Sequence, residues 1–138
     1  MSDEKIIEIA GELDCGLKCF VHIENGTLIS YPDELNYPDF DPDEWAEVIK
    51  NVERDLDNYV EIEKMDPHES FRVMESFVDT IDDVRLRDKL IRALSKSKPF
   101  RNFKFEIDNS GLDREQWFAF KNRRLFEWVK EQVTYKGL

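Results

Sequence analysis

Apolar residues recur along this chain with two different periods, and the switches between them mark its elements. Residues 5–13, KIIEIAGEL, place Ile6, Ile9, Ala10 and Leu13 on one side of a short helix. The run CFVHI that follows is rich in strand-preferring residues. Asn25-Gly26 then predicts a tight type I′ turn, with both residues at positive φ, and TLISY returns as the partner strand. A Pro- and Asp-rich loop, PDELNYPDFDP, covers residues 32–42. Asp41 as cap, Pro42 in the first helical position and Glu44 as capping acid then open a helix. Its buried stripe is predicted as Trp45, Val48, Ile49, Val52 and Leu56. YVEIE, residues 59–63, alternates faces and reads as a third strand.

The helix-opening signal returns at Asp66-Pro67-His68-Glu69, followed by Phe71, Met74, Phe77, Val78 and Ile81 at helical spacing. Asp82 or Asp83 starts the next helix, with Leu86, Leu90, Ala93 and Leu94 as its stripe. KPFRNFKFEIDNSG fits either period. It is read as helix because Pro99 suits the first position and Gly111 the end. Ser110 is then expected to cap a long final helix with Trp117, Phe118, Leu125, Trp128 and Val129 inward. The sum is an α+β chain: a small antiparallel sheet, made of an N-terminal hairpin plus a third strand, packed with a mainly helical C-terminal body. No linker interrupts it, and a length of 138 residues suits a single domain spanning 1–138.

Composition changes this picture little. Ten Phe, three Trp and four Tyr supply a core, and with ten Pro plus Gly in all nothing reads as disorder. Charge changes it more. Residues 1–83 carry 24 acids and 6 bases, whereas residues 84–138 carry 7 acids and 14 bases. Such asymmetry marks either a basic surface for a polyanion or two halves that neutralise each other within one fold. The opening MSDEKIIEIAGELD lacks the basic and apolar parts of a secretory signal, and no apolar run approaches a membrane span, so a cytoplasmic chain with no membrane partner is expected.

LDCGLKCFVH near the start, YVEIEKMDPHESFRVMESFVDTIDD in the middle, and ALSKSKPFRNFK with WFAFKNRRLFEWV near the end occur in an order and spacing that resembles the bacterial uncharacterised protein family 0158. The resemblance covers nearly the whole chain and implies a bacterial, cytoplasmic, single-domain protein. It implies no activity, cofactor or catalytic residue.

Candidate chemistry is sparse. Cys15, Cys19 and His22, with His68 as a distant fourth, exhaust the Cys and His of the chain, and a structural zinc site would need all four. If residues 19–23 are strand, Cys19 and His22 point to opposite faces. The two sulfurs are therefore expected to be small core hydrophobes and no metal or other cofactor is expected. His22 or His68 could serve an enzyme, with Asp14 or Glu69 as partner, but no nucleophile, phosphate-loop or metalloprotease pattern accompanies them.

Two binding readings carry more. KSKPFRNFKF and FKNRRLF set Lys96, Lys98, Arg101, Lys104, Lys121, Arg123 and Arg124 among phenylalanines, a pattern suited to RNA or single-stranded nucleic acid. The plain alternative is that every Phe is core and every base is solvated or paired with the acidic half. In YPDELNYPDFDPDEW, Tyr31, Tyr37 and Phe40 punctuate an acidic loop and are candidate anchors for a protein partner. The sequence thus favours a non-enzymatic interaction domain, with a protein partner first, nucleic acid second and an unrecognised enzyme third.

Overall fold

The computed structural model describes residues 1–33, 37, 39 and 41–138, with the backbone alone at Leu112. It is α+β, with six α-helices and one three-stranded antiparallel sheet in the described residues. These residues form two compact units: residues 1–64 with 125–138, and residues 65–124.

In the first unit, helix α1 (Asp3–Asp14) starts where the Ser2 hydroxyl accepts from the Lys5 N–H at 3.2 Å. Its Ile6, Ile9, Ala10 and Leu13 are buried, as their spacing predicts. Strand β1 (Leu17–His22) is central, between β2 (Leu28–Pro32) and β3 (Tyr59–Ile62). Cys19 lies opposite Ser30 and Ile62, so its side chain joins Val21 and Ile62 on one face. That face packs against α1 and against Val129 and Val133. On the other face Phe20 stacks on Tyr31 at 5.5 Å.

The β1–β2 connection is a correction to the turn expected. Only Gly26 takes a positive φ, at 70°, and Asn25 does not. The loop is wider than a two-residue turn, because the Gly26 N–H donates to the His22 carbonyl while the Asn25 side chain accepts from the Thr27 N–H. Asparagine acts here through its side chain, as an Asx turn, and not through left-handed backbone.

Helix α2 (Pro42–Arg54) opens with the Asp41 carboxylate accepting from the Asp43 N–H at 3.0 Å, and it lies against β2. Val52 is buried, and Trp45, Val48 and Ile49 are half-buried. Leu56 is exposed, contrary to its place in the predicted stripe. The helix stops before it: Asp55 leaves helical geometry and a 3-10 turn, Leu56–Asn58, leads into β3.

In the second unit, α3 (Pro67–Val78) and α4 (Val84–Ser95) begin as read, with Asp66 accepting from the Glu69 N–H and Asp83 from the Arg85 N–H. Residues 99–108 form helix α5 (Pro99–Asp108), burying Phe103 and Ile107. The last helix, α6 (Leu112–Tyr135), gives its residues up to Arg124 to this unit and the rest to the first. Trp117 meets Phe77 at a tilt, 5.3 Å away, and Phe103 edge-on, 4.9 Å away, against a core that includes Met74, Val78, Leu86 and Leu90.

Two details differ from expectation. Phe120, three residues on from Trp117, turns inward and packs on Phe77 at 5.4 Å, whereas Phe118 is 37% exposed. Ser110 does not cap α6. Its hydroxyl donates to the Ile107 carbonyl and closes α5, after which Gly111, at φ 70°, reverses the chain. Among the described residues, no helix is long and apolar enough to cross a membrane.

Candidate nucleic-acid interface

Helices α4 and α5 form a hairpin joined by residues 96–98. Residues 84–108 carry eight bases and three acids, the most basic stretch of the chain. Leu86, Leu90 and Ala93 of α4 are buried, and Lys89 and Arg92 are exposed beside them. With Lys96, the residue that follows the helix, they keep steps of three and four residues, a row of about 10 Å along one side of the helix and its end. Together with Ala93 they line one side of a groove of about 600 Å³, and Asn102, Phe105, Glu106 and Asn109 of α5 and its end line the other.

Lys89 and Lys96 have no ion pair among the described residues, and Arg92 spends its Nε–H on the Asp88 carbonyl at 3.3 Å. Phe105 is 66% exposed. The amides of Asn102 and Asn109 each donate one N–H to backbone, to the Ser97 and Phe105 carbonyls at 2.9 and 2.7 Å. Those bonds hold the two amides in place and leave their oxygens as acceptors.

Of the cations in the basic-aromatic runs, Lys96 lines this groove, and Lys98, Arg101, Lys104, Lys121, Arg123 and Arg124 do not. Lys98, Arg101 and Lys104 are exposed and without ion pairs among the described residues, on the link and on α5 itself. Lys121 lies 5.4 Å from the Phe118 ring, and Arg123 and Arg124 lie 5.5 and 5.2 Å from Phe120, so these three cations sit on rings of their own helix. Of the aromatic residues in the run, Phe103 is core, and Phe100 and Phe105 are exposed. The sequence reading passed over Lys89 and Arg92. Their spacing was the available signal, because it puts them beside a buried stripe that turns away from them.

The proposed protein anchors are differently placed. Tyr31 is half-buried in β2 against Phe20, and burial raises its phenol pKa, with the carboxylates of Glu61, Glu53 and Asp33 adding to the shift. Tyr37 donates its hydroxyl to the Cys15 carbonyl and its N–H to the Asp33 carbonyl. Asp33 is itself paired with Lys64 at 2.7 Å. Phe40 lies outside the described residues.

The cysteine and histidine residues do not converge. Cys19 is buried, and burial pushes its thiol up to about 12, helped by the carboxylate of Glu12. Cys15 is exposed where α1 ends, and so is not the core hydrophobe its sulfur suggested. His22 faces away from Cys19, as strand alternation requires. Its Nδ1 accepts from the Glu24 and Asn25 N–H groups at 3.2 and 3.4 Å, which leaves the ring hydrogen on Nε2, 3.3 Å from the Asp55 carboxylate. Both nitrogens are thus occupied in pinning the β1–β2 loop to the end of α2. His68 is exposed in the first turn of α3. Among the described residues, no three of His, Cys, Asp or Glu are grouped to hold a metal ion.

Against known proteins, the chain is similar over 125 residues to the UPF0158 protein PA5073 of Pseudomonas aeruginosa, at 23% identity, covering 90% of this chain and 76% of that protein. No solved structure matches it. The model of the uncharacterised protein family UPF0158 matches residues 5–136, and the chain belongs to that family.

Proposed function

We propose that this chain is a non-enzymatic binding protein and that its α4–α5 hairpin binds nucleic acid. The observation that carries this reading is the row formed by Lys89 and Arg92 on α4 and Lys96 just beyond its end, all exposed and facing a groove of nucleotide size. Unpaired cations on a rigid helix need no partner for stability, and releasing counterions from phosphates is the gain they offer. The order of partners therefore differs from that favoured by sequence, because Tyr31 is committed to the sheet and the Tyr37 hydroxyl to a backbone carbonyl.

A protein partner is the second reading. The same hairpin leaves Ile91 47% and Phe100 43% exposed, and apolar side chains of this size are the usual anchors of an interface.

Fluorescence anisotropy of a labelled oligonucleotide against the full chain, across a salt series, separates the two. With three phosphate contacts on a single strand, log affinity falls against log salt with a slope of about −2. Lys89→Glu with Arg92→Glu reverses two of those contacts, and affinity at low salt drops at least about tenfold. Absence of binding at low salt, where the attraction is strongest, would remove nucleic acid and leave the exposed apolar residues of the hairpin as the ground for a protein partner.

A further inference from the structure

We infer, on the reading that this hairpin takes nucleic acid, that the α4–α5 groove receives an unpaired nucleotide, with phosphates along the α4 wall and a base against the α5 wall. The two walls differ in chemistry. The α4 wall offers Lys89, Arg92 and Lys96 and no acid. The α5 wall offers an aromatic ring, two amides and one carboxylate, and no cation. A nucleotide divides the same way, into an anionic end and a flat, neutral base with hydrogen-bonding edges.

Each α5 side chain has a part in that division. Phe105 is two-thirds exposed on a helix whose Phe103 and Ile107 are buried, so the ring is presented at the groove and not spent on the core. A ring in that setting is a stacking platform for a base. Asn102 and Asn109 are held by their bonds to backbone, with amide oxygens left to accept from base N–H groups. Glu106 is the acid among the lining residues. It repels phosphate from the α5 wall, which fixes the direction of the bound nucleotide, and it accepts from a base amine. In a duplex the bases are already stacked and paired, so only a single strand, loop or end can use this wall.

The test compares one labelled strand of mixed sequence with the same strand annealed to its complement, by anisotropy with the full chain at about 50 mM salt. The variants are Phe105→Ala, Phe105→Tyr and the Lys89→Glu, Arg92→Glu pair. Phe105 is exposed, and circular dichroism verifies that its variants fold. The single strand is expected to bind at least about tenfold more tightly than the duplex. Phe105→Ala should lower single-strand affinity about tenfold, leave the duplex affinity and the salt slope unchanged, and be rescued by Phe105→Tyr. If charge reversal abolishes binding but Phe105→Ala weakens strand and duplex equally, or neither, the base-stacking inference falls and phosphate binding stands. If neither strand nor duplex binds at about 10 mM salt, both fall together.

Discussion

Burial against α1 holds the Cys19 thiol protonated to a pH of about 12, whereas in the unfolded chain it ionises around its ordinary value of 9.0. Folding then requires the proton to stay on while the unfolded chain is free to lose it. Above pH 9 the unfolded state binds fewer protons, so stability declines between about 9 and 12, by up to about 1.4 kcal/mol per pH unit, and is fully present below that window. Urea unfolding at about pH 8 and pH 10 measures the slope, and in Cys19→Ala this part of it disappears. Tyr31, raised from 10.0, adds a loss of the same sign at the upper end of the range. At neutral pH, iodoacetamide should label Cys15 in the folded chain and reach Cys19 only on unfolding, which mass spectrometry reads directly. The sequence could say that a cysteine four residues from another lies in a strand. It could not say that Cys15 falls just beyond the last turn of α1, because two residues decide whether a side chain enters the core or clears it.

The elements follow their own end signals, and the deviations arise where a side chain serves a neighbour. Asp41, Asp66 and Asp83 each accept helix N–H groups, as their positions in sequence promised. Ser110 and Asn25 make local bonds that residue type alone does not select between. Lys98 is a different case. It precedes α5 with φ 56° and ψ 55°, a left-handed backbone, and makes no side-chain cap. That geometry costs a side-chain-bearing residue about 1–2 kcal/mol, part of which glycine gives back through its looser unfolded state. Lys98→Gly is therefore expected to raise stability by about 0.5 kcal/mol or more, and Lys98→Val to lower it, both measured by thermal unfolding. A melting point lowered by glycine would mean that the backbone there is unstrained.

The free edge of β3 shows what was never legible locally. Trp128 and Gln132 donate to the Glu63 carbonyl at 2.8 and 2.9 Å, Gln132 accepts from the Glu63 N–H, and Lys136 donates to the Glu61 carbonyl at 2.7 Å. Side chains some 70 residues away thus close a strand edge that would otherwise be open to another chain. Removing the paired bonds of Gln132 with alanine should cost about 1–2 kcal/mol and increase aggregation on heating, read by denaturant midpoint and light scattering.

At the scale of the whole molecule the charge layout opposes the binding proposed for the hairpin. The unit formed by residues 1–64 and 125–138 holds 20 acids and 7 bases, whereas residues 65–124 hold 11 acids and 13 bases. Reading the charge by sequence halves placed the positive excess broadly in the C-terminal part. The fold concentrates it on α4 and α5, because α3 brings its own acids into the second unit and residues 125–138 are neutral. The periods of the sequence mark which face of a helix is buried and do not say which buried faces meet, so the groove between α4 and α5 exists only once the chain is folded. The excess acid has a measurable consequence. Charges act over about 30 Å at 0.01 M salt but only about 8 Å at 0.15 M. At the lower salt the net charge of −11 therefore repels a polyanion bound anywhere on the chain, and at the higher salt that repulsion is mostly screened. Glu24→Gln, Glu47→Gln and Asp57→Asn together remove three exposed charges that take part in no ion pair among the described residues. The triple variant should bind a single strand about threefold more tightly at 0.01 M and equally well at 0.15 M. An equal gain at both salts would mean that these acids act on the strand at close range, and no gain at either would mean that the hairpin is electrostatically independent of the rest of the chain.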